Sequence, residues 1–485
     1  MASPYDIVVI GGGITGLGIA RLAARNRYRC ALLERGDLAS GTSSTSSHML
    51  HGGLRYLEHG RFALVRESLA ERRAVSRMAP ALAQPRRFLL PLYRGDRLAP
   101  WMLGAGLTAY DWLAGPHAFS PHAMVRRAEA LALEPELARE GLRGAGLYTD
   151  VIMDDARLAL AVARDAAEQG AEIHTYTEAQ GARPGEGGTF EVVASDRLEG
   201  ASRVFPTRIV INAAGPWVDH VRLALSRSLA PGQPDPEPLL RPSRGVHLVY
   251  PLLTRGHALV LIARSDGRLF FVVPFGEHSL VGTTEVEVAS PPPTQAWRAS
   301  LEEVRYLRRE LARVLPIAAL TTPHAVVAGL RPLLRSRDDV GQASREHRVV
   351  EEEGVLTVAG GKYTTFRVMA RAALERVARR LGVYGRPIND PPEPLPSPLV
   401  DGSDPEKVAE FAVDHEFARR VEDVIRRRTL LWLSPDRGRA AAPYIAAAMG
   451  RRLGWSTERA HEEVRRYEAM LGEEDSLIQR TEEAP

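Results

Sequence analysis

The chain has 485 residues, 45% hydrophobic and 25% charged, too long for one core and ordinary for a globular protein of two or three domains. A net charge of +3 gives no strong basic field, so nucleic acid is not an expected partner. The single cysteine, Cys30, excludes an intrachain disulfide, no stretch reaches the roughly 18 apolar residues of a spanning helix, and the N-terminus runs straight into a strand with no signal peptide, so an intracellular chain is expected.

Residues 5–10, YDIVVI, are a short β-branched run of the kind found in buried parallel strands. GGGITG follows, with Gly11, Gly13 and Gly16 at the G-x-G-x-x-G spacing, and an apolar helix pattern continues through Leu17, Ile19, Ala20 and Leu22. A second strand, CALLE, ends at Glu34. Gly11 permits a tight turn, Gly13 lets backbone approach a pyrophosphate, and Gly16 lets helix and strand pack closely. The helix N-terminus offers free N–H groups and partial positive charge to phosphates. Glu34 stands where a carboxylate accepts from ribose hydroxyls, which favours FAD or NAD over NADP.

Residues 41–58, GTSSTSSHMLHGGLRYLE, bring a hydroxyl-rich turn, an imidazole, two glycines, a cation and a phenol close behind that fingerprint. A charged amphipathic helix is expected at 60–79, and 98–114 is apolar and aromatic. Residues 153–173 read as a helix and then a strand, EVVASD and RIVINAAG as further strands, and 230–244 as a loop. GVHLVYP, ALVLIA, RLFFVVPF and SLVGTTEVE are spaced like an antiparallel meander. A helix is expected at about 296–314. The proline-rich 385–405 reads as a linker and the last 80 residues as helical. Only two lysines occur, Lys407 and Lys362, the latter within AGGKYTTF, so Lys362 marks a place where a compact ammonium is wanted. No metal site is expected, since the 14 histidines show no ligand spacing.

The order α/β, meander, α/β, helices implies a nucleotide domain built from separated segments. Its expected segments are 1–80, 141–218 and 328–384. A substrate domain takes 81–140 and 219–327, and a helical C-terminal cap takes 406–485 after the linker 385–405. Taken together, GGGITGLGIA, TSSTSSHMLHGGLRYLEHGRF, YTDVIMDDARL, NAAGPWVD, FVVPFGEHSLVGTTEVE, AGLRPL and AGGKYTTFRVMA resemble the FAD-dependent glycerol-3-phosphate dehydrogenases of the D-amino-acid-oxidase-like flavoprotein group. The resemblance runs nearly end to end. His48 departs from the lysine usual there, with a shift of charge near the flavin as its expected consequence, and Thr15 departs from a frequent asparagine.

That resemblance implies an α/β fold with a Rossmann-like FAD-binding domain, an inserted antiparallel-sheet substrate domain and a helical cap. It implies non-covalent FAD and oxidation of sn-glycerol-3-phosphate to dihydroxyacetone phosphate by hydride transfer to flavin N5. Electrons would pass to a membrane quinone, on a cytoplasmic enzyme held peripherally at the membrane, with a homodimer as an option. Alternatives are an oxidase that uses oxygen, a related amino-acid or hydroxy-acid oxidase, and a non-catalytic flavoprotein. The lack of an extra substrate-domain segment leans toward the dehydrogenase.

Resemblance places Arg55, Tyr56, Arg331 and Lys362 in the substrate pocket, where guanidinium and ammonium suit a phosphate dianion. Arg345 and the hydroxyls of Thr283 and Thr284 are further substrate candidates. His51 is the expected proton acceptor, with an ordinary pKa of about 6.5 that neighbouring cations lower. Arg331 would stabilise the developing alkoxide. Thr42, Ser43 and Ser47 are expected along FAD, Gly215 and Gly361 beside the flavin, and Thr364 at a helix start aimed at the pyrimidine ring. Trp101, Met102, Leu103, Leu107, Tyr110, Trp112 and Leu113, with Arg94 and Arg97, form either a membrane-docking face or a buried helix.

Overall fold

A computed structural model describes residues 3–292, 297–335, 346–385, 387–397 and 403–482. Two sheets organise the first 385 residues. In the first sheet, Tyr5–Ile10 lies at the centre. It pairs in parallel with Cys30–Leu33 on one side and Ser202–Asn212 on the other, Ile7 opposite Cys30 and Ile10 opposite Asn212. Val355–Gly360 and Glu172–His174 extend the parallel order outward. Thr177–Pro184 and Phe190–Asp196 join as an antiparallel flap on Ser202–Asn212. The strands are buried on both faces, which explains their continuous apolar runs. Cys30 packs in this core, and burial pushes its thiol up to about 12. Helix Ile14–Arg25 fills the face it shares with Asp155–Glu168 and Phe366–Arg380.

The second sheet has ten strands and carries the long pairing of Ala83–Tyr93 with Leu142–Met153. That pairing corrects the expected domain boundary. Leu142–Met153 belongs to the second sheet, as do Met49–Leu50 and Ala325–Arg331. An apolar run reads the same in either sheet, and only its partner decides where it goes. The expected meander is also rearranged. Ala258–Ile262, Leu269–Phe275 and His278–Gly282 follow one another antiparallel, but His278–Gly282 returns to pair with Ser243–Pro251. Helix Leu301–Val314, opened by a capping box between Ser300 and Glu303, packs Val304, Leu307 and Leu311 on this sheet.

Helix Pro100–Ala114 is two-faced. Leu103, Leu107 and Tyr110 are buried, whereas Trp101 and Trp112 are 75% and 80% exposed. The segment read as a linker is tied down where it is described. The Leu395 amide donates to the Met78 carbonyl, and Asp390 accepts from Arg367 and pairs with Arg21. Helices Pro405–His415, Val421–Arg427, Ala442–Leu453 and Thr457–Glu482 form the C-terminal cap around their own apolar cluster.

Candidate active site

The turn after Tyr5–Ile10 is built as its glycines require. A Cβ on Gly16 would stand 1.9 Å from the Gly11 carbonyl oxygen, so the third glycine is what lets the helix meet the strand. The carboxylate of Glu34 accepts from the backbone N–H of Gly12 at 2.6 Å and of Gly36 at 2.8 Å. Burial pushes its pKa up, against those two donors. Ser43 lies over the helix start, its hydroxyl accepting from the Ile14 amide at 2.9 Å. The guanidinium of Arg35 lies 4.6 Å from the Trp217 ring centroid, at the far rim of the same crevice.

Two aspartates of one segment, Asp150 and Asp155, hold the 41–58 loop, and Asp154 between them caps a helix. Asp150 accepts from the Gly52 amide at 3.2 Å while it is held by Arg72 at 2.5 Å and the Tyr110 hydroxyl at 2.9 Å. Burial raises the Asp150 pKa and the Arg72 charge opposes that rise. Asp154 caps helix Asp155–Glu168 through the Arg157 amide. Asp155 accepts from the Ser46 amide and hydroxyl at 3.0 and 2.6 Å. These carboxylates are functional residues that the sequence analysis does not identify. The signal was their spacing at 150, 154 and 155. Gly53 sits at φ 83°, and a Cβ there would meet the Tyr56 ring at 2.3 Å, so glycine is needed to turn the chain under Tyr56.

One cavity of about 1470 Å³ runs from the fingerprint to the second sheet. That exceeds the roughly 300–1,000 Å³ of a single-ligand pocket and leaves room for a dinucleotide and a small substrate. Gly11, Gly13, Glu34, Thr42, Ser43, Ser47, Gly215, Gly361 and Thr364 line it, as do His51, Arg55, Tyr56, Thr283, Thr284, Arg331 and Lys362. Gly16 is absent from the lining because it packs helix on strand. Arg345 lies outside the described residues.

At the second-sheet end, Arg331 donates to the Thr283 hydroxyl and to the Thr284 carbonyl, the latter at 3.1 Å. The Thr284 hydroxyl is committed elsewhere, accepting from the Val246 amide and donating to Glu303. Lys362 donates to the buried Ser68 hydroxyl and sits 4.9 Å from the Tyr56 ring centroid. The His51 and Tyr56 ring centroids are 6.1 Å apart. His247 is a lining residue that sequence reasoning missed, because within an apolar strand it reads as a packing residue. Its Nε2 lies 2.9 Å from the Ser47 hydroxyl, and burial, aided by Arg331, lowers its pKa to about 3. The Thr42 hydroxyl donates to the Leu330 carbonyl at 2.5 Å. His48 turns away from this cavity. It lies against Phe275 and Trp432, with its Nδ1 3.2 Å from the Met153 carbonyl oxygen. A charge on His48 still lowers the pKa of His247, which lines the cavity, so its influence there is exerted through space. No cluster of metal-ligating side chains is present among the described residues.

The cradle fits FAD: a glycine turn at a helix start, the Glu34 carboxylate at the end of the second strand, and one continuous cavity that also holds Arg55, Arg331 and Lys362. Comparison with known proteins agrees. The FAD dependent oxidoreductase family model matches residues 6–376, and the model for the C-terminal domain of alpha-glycerophosphate oxidase matches 404–460. The chain is 35% identical to a glycerol-3-phosphate dehydrogenase of Mycobacterium leprae, over 96% of this chain and 88% of that protein. It is 36% identical to an aerobic glycerol-3-phosphate dehydrogenase of Staphylococcus epidermidis, over 78% of this chain and 67% of that one. The solved glycerol-3-phosphate dehydrogenase of Bacillus halodurans, complexed with FAD, superposes with a TM-score of 0.76 at 25% identity, covering 98% of this chain and 95% of that one. The chain belongs to the FAD-dependent oxidoreductase family, within its glycerol-3-phosphate dehydrogenase group.

Proposed function

We propose that this chain oxidises sn-glycerol-3-phosphate to dihydroxyacetone phosphate and passes the electrons to a membrane quinone. The observation that carries the substrate assignment is the meeting of Arg55, Arg331 and Lys362 with His51 in one cavity beside the FAD cradle. When bound, FAD supplies the two-electron acceptor. The side chains do the rest. Arg55 and Lys362 hold the phosphate dianion, which fixes the secondary alcohol relative to the cofactor. His51 accepts the hydroxyl proton. Arg331, held in orientation by Thr283 and the Thr284 carbonyl, faces the oxygen on which charge develops. Asp150 positions the His51 loop through the Gly52 amide.

The quinone reading rests on the outer part of the same cavity. Leu90, Leu98, Met102, Leu103, Leu269 and Phe271 give it an apolar wall. Met102 and Leu103 belong to the helix that exposes Trp101 and Trp112. No helix among the described residues is long and apolar enough to cross a membrane. Aromatics on one helix face, with Arg94 and Arg97 alongside, suit peripheral docking at the interface. Two measurements test this. Flotation with anionic liposomes at low salt should carry the wild-type protein, and Trp101→Ser with Trp112→Ser should cut it while turnover with a soluble dye persists. Turnover with a quinone analogue should far exceed oxygen consumption. Protein that never floats, or that consumes oxygen as fast as quinone, contradicts the acceptor assignment and leaves the substrate assignment standing.

A further inference from the structure

The cap helices do more than close the chain. They dock at several places, through Arg157 to Glu416 and His324 to the Leu433 carbonyl among others, and one of these is the turn that follows Glu34. Asp37, 1% exposed, accepts from Arg427 and from Arg428, with one Arg428 bond at 2.9 Å. The Tyr176 hydroxyl donates to Asp423 of the cap at 2.8 Å. Arg420 holds its guanidinium 5.3 Å from the Tyr176 ring centroid. These contacts set the cap against the part of the crevice that, by the position of Glu34, receives the adenosine half of the cofactor. Arg420, Arg466 and Met470 line the same continuous cavity there. Arg466 and Met470 are four residues apart on helix Thr457–Glu482, hence on one face, while Tyr467 and Leu471 anchor that helix in the cap core. Arg466 is exposed and makes no ion pair among the described residues.

We propose that the C-terminal cap is part of the cofactor site, and that Arg420, Arg466 and Met470 close over the AMP portion of FAD. The inference rests on FAD as the resident cofactor. A planar guanidinium already seated on a tyrosine can stack on a purine. A mobile thioether fills irregular apolar space. A further arginine favours the nearby phosphate. Because the ligand then touches two domains, its binding also stabilises their docking.

The test separates the two halves of the cofactor. Arg466→Glu with Met470→Glu, and the milder Arg466→Ala, are compared with wild type. Release of FAD from diluted holoenzyme is followed by flavin fluorescence, and the flavin-free proteins are titrated with FAD, ADP and FMN. The double variant should release FAD at least tenfold faster and bind FAD and ADP at least tenfold more weakly. Arg466→Ala should show a smaller change in the same direction. FMN, which lacks adenosine, should bind all three proteins alike. Unchanged FAD release in both variants overturns the proposal. An equal loss of FMN and FAD binding also overturns it, since the cap would then act on the fold as a whole. Wild-type protein that binds no FAD would instead remove the cofactor reading on which the proposal depends.

Discussion

Two glycines of the fingerprint should both weaken FAD binding when changed to alanine, but only one of them should destabilise the flavin-free protein. Gly16→Ala places a methyl 1.9 Å from the Gly11 carbonyl oxygen, where ordinary contact begins at 3.4 Å, so the two backbones must separate by 3.4 − 1.9 = 1.5 Å. The helix that must move buries Ile14, Leu17, Ile19, Ala20 and Leu22 against the sheet. Overpacking of this kind costs about 1–3 kcal/mol, and the helix start also leaves its place over the phosphates. Gly13→Ala differs. Gly13 has φ −80° and ψ 175°, open to any residue, and its Cβ would meet only the Ser43 hydroxyl, at 3.3 Å. The change costs the empty protein about 1 kcal/mol or less as a poorer helix cap. The methyl nevertheless stands in the space lining the cavity, where pyrophosphate must approach backbone. Thermal unfolding of flavin-free protein and fluorescence titration with FAD separate the two. Gly16→Ala should lower the melting temperature of flavin-free protein and lose FAD. Gly13→Ala should nearly keep the melting temperature and bind FAD at least about tenfold more weakly, about 1.4 kcal/mol. Full FAD affinity in Gly13→Ala would refute the assignment of this turn to the pyrophosphate.

Lys362→Met and Arg331→Met should each lower kcat/KM for glycerol-3-phosphate by about tenfold or more, as a charge-assisted hydrogen bond is worth about 1.5–3 kcal/mol. Flavin content, read from absorbance, should persist. His51→Asn should slow anaerobic flavin reduction more than it weakens binding, and should flatten the acidic limb of the pH–rate profile; an unchanged limb would leave His51 an orienting role. His247 is kept neutral by burial and by Arg331, with its pKa lowered to about 3. The folded state therefore resists a proton that the unfolded state takes up below about 6.5. Stability from this source is complete above that pH and falls as pH drops toward 3. His247→Gln should flatten urea-unfolding free energy across that window, and an unaltered slope would contradict the assignment. Acid precipitation should release all flavin into the supernatant, and colour in the pellet would mean a covalent bond.

The nucleotide half was legible because its signal is local. A β-branched strand, three glycines at fixed spacing and a terminal acid fall within 30 residues. The pairs that shape the substrate end are not local. Lys362 meets Ser68 across 294 positions, His247 meets Ser47 across 200, and Gly52 meets Asp150 across 98. No periodicity records such partners. Ser68 and Arg72 read as ordinary residues of a charged helix, yet their i, i+4 spacing puts both on one face, supporting Lys362 and Asp150 respectively. Leu142–Met153, expected within the nucleotide-domain segment 141–218, pairs in the second sheet for a related reason, since burial dictates its apolar run whichever sheet it joins. The helix Pro100–Ala114 packs one face and exposes the other, so the buried-helix expectation holds for Leu103, Leu107 and Tyr110 and not for Trp101 and Trp112.

In the proposed reaction the cations and imidazole of this cavity present glycerol-3-phosphate to FAD. Anaerobic mixing of the purified holoenzyme with sn-glycerol-3-phosphate, followed by the visible absorbance of the oxidised flavin, decides whether they do. The flavin should bleach fully with stoichiometric dihydroxyacetone phosphate, and little or not at all with amino acids or with hydroxy acids that lack phosphate. Flavin that stays oxidised with glycerol-3-phosphate, or is reduced as readily by an amino acid, would contradict it.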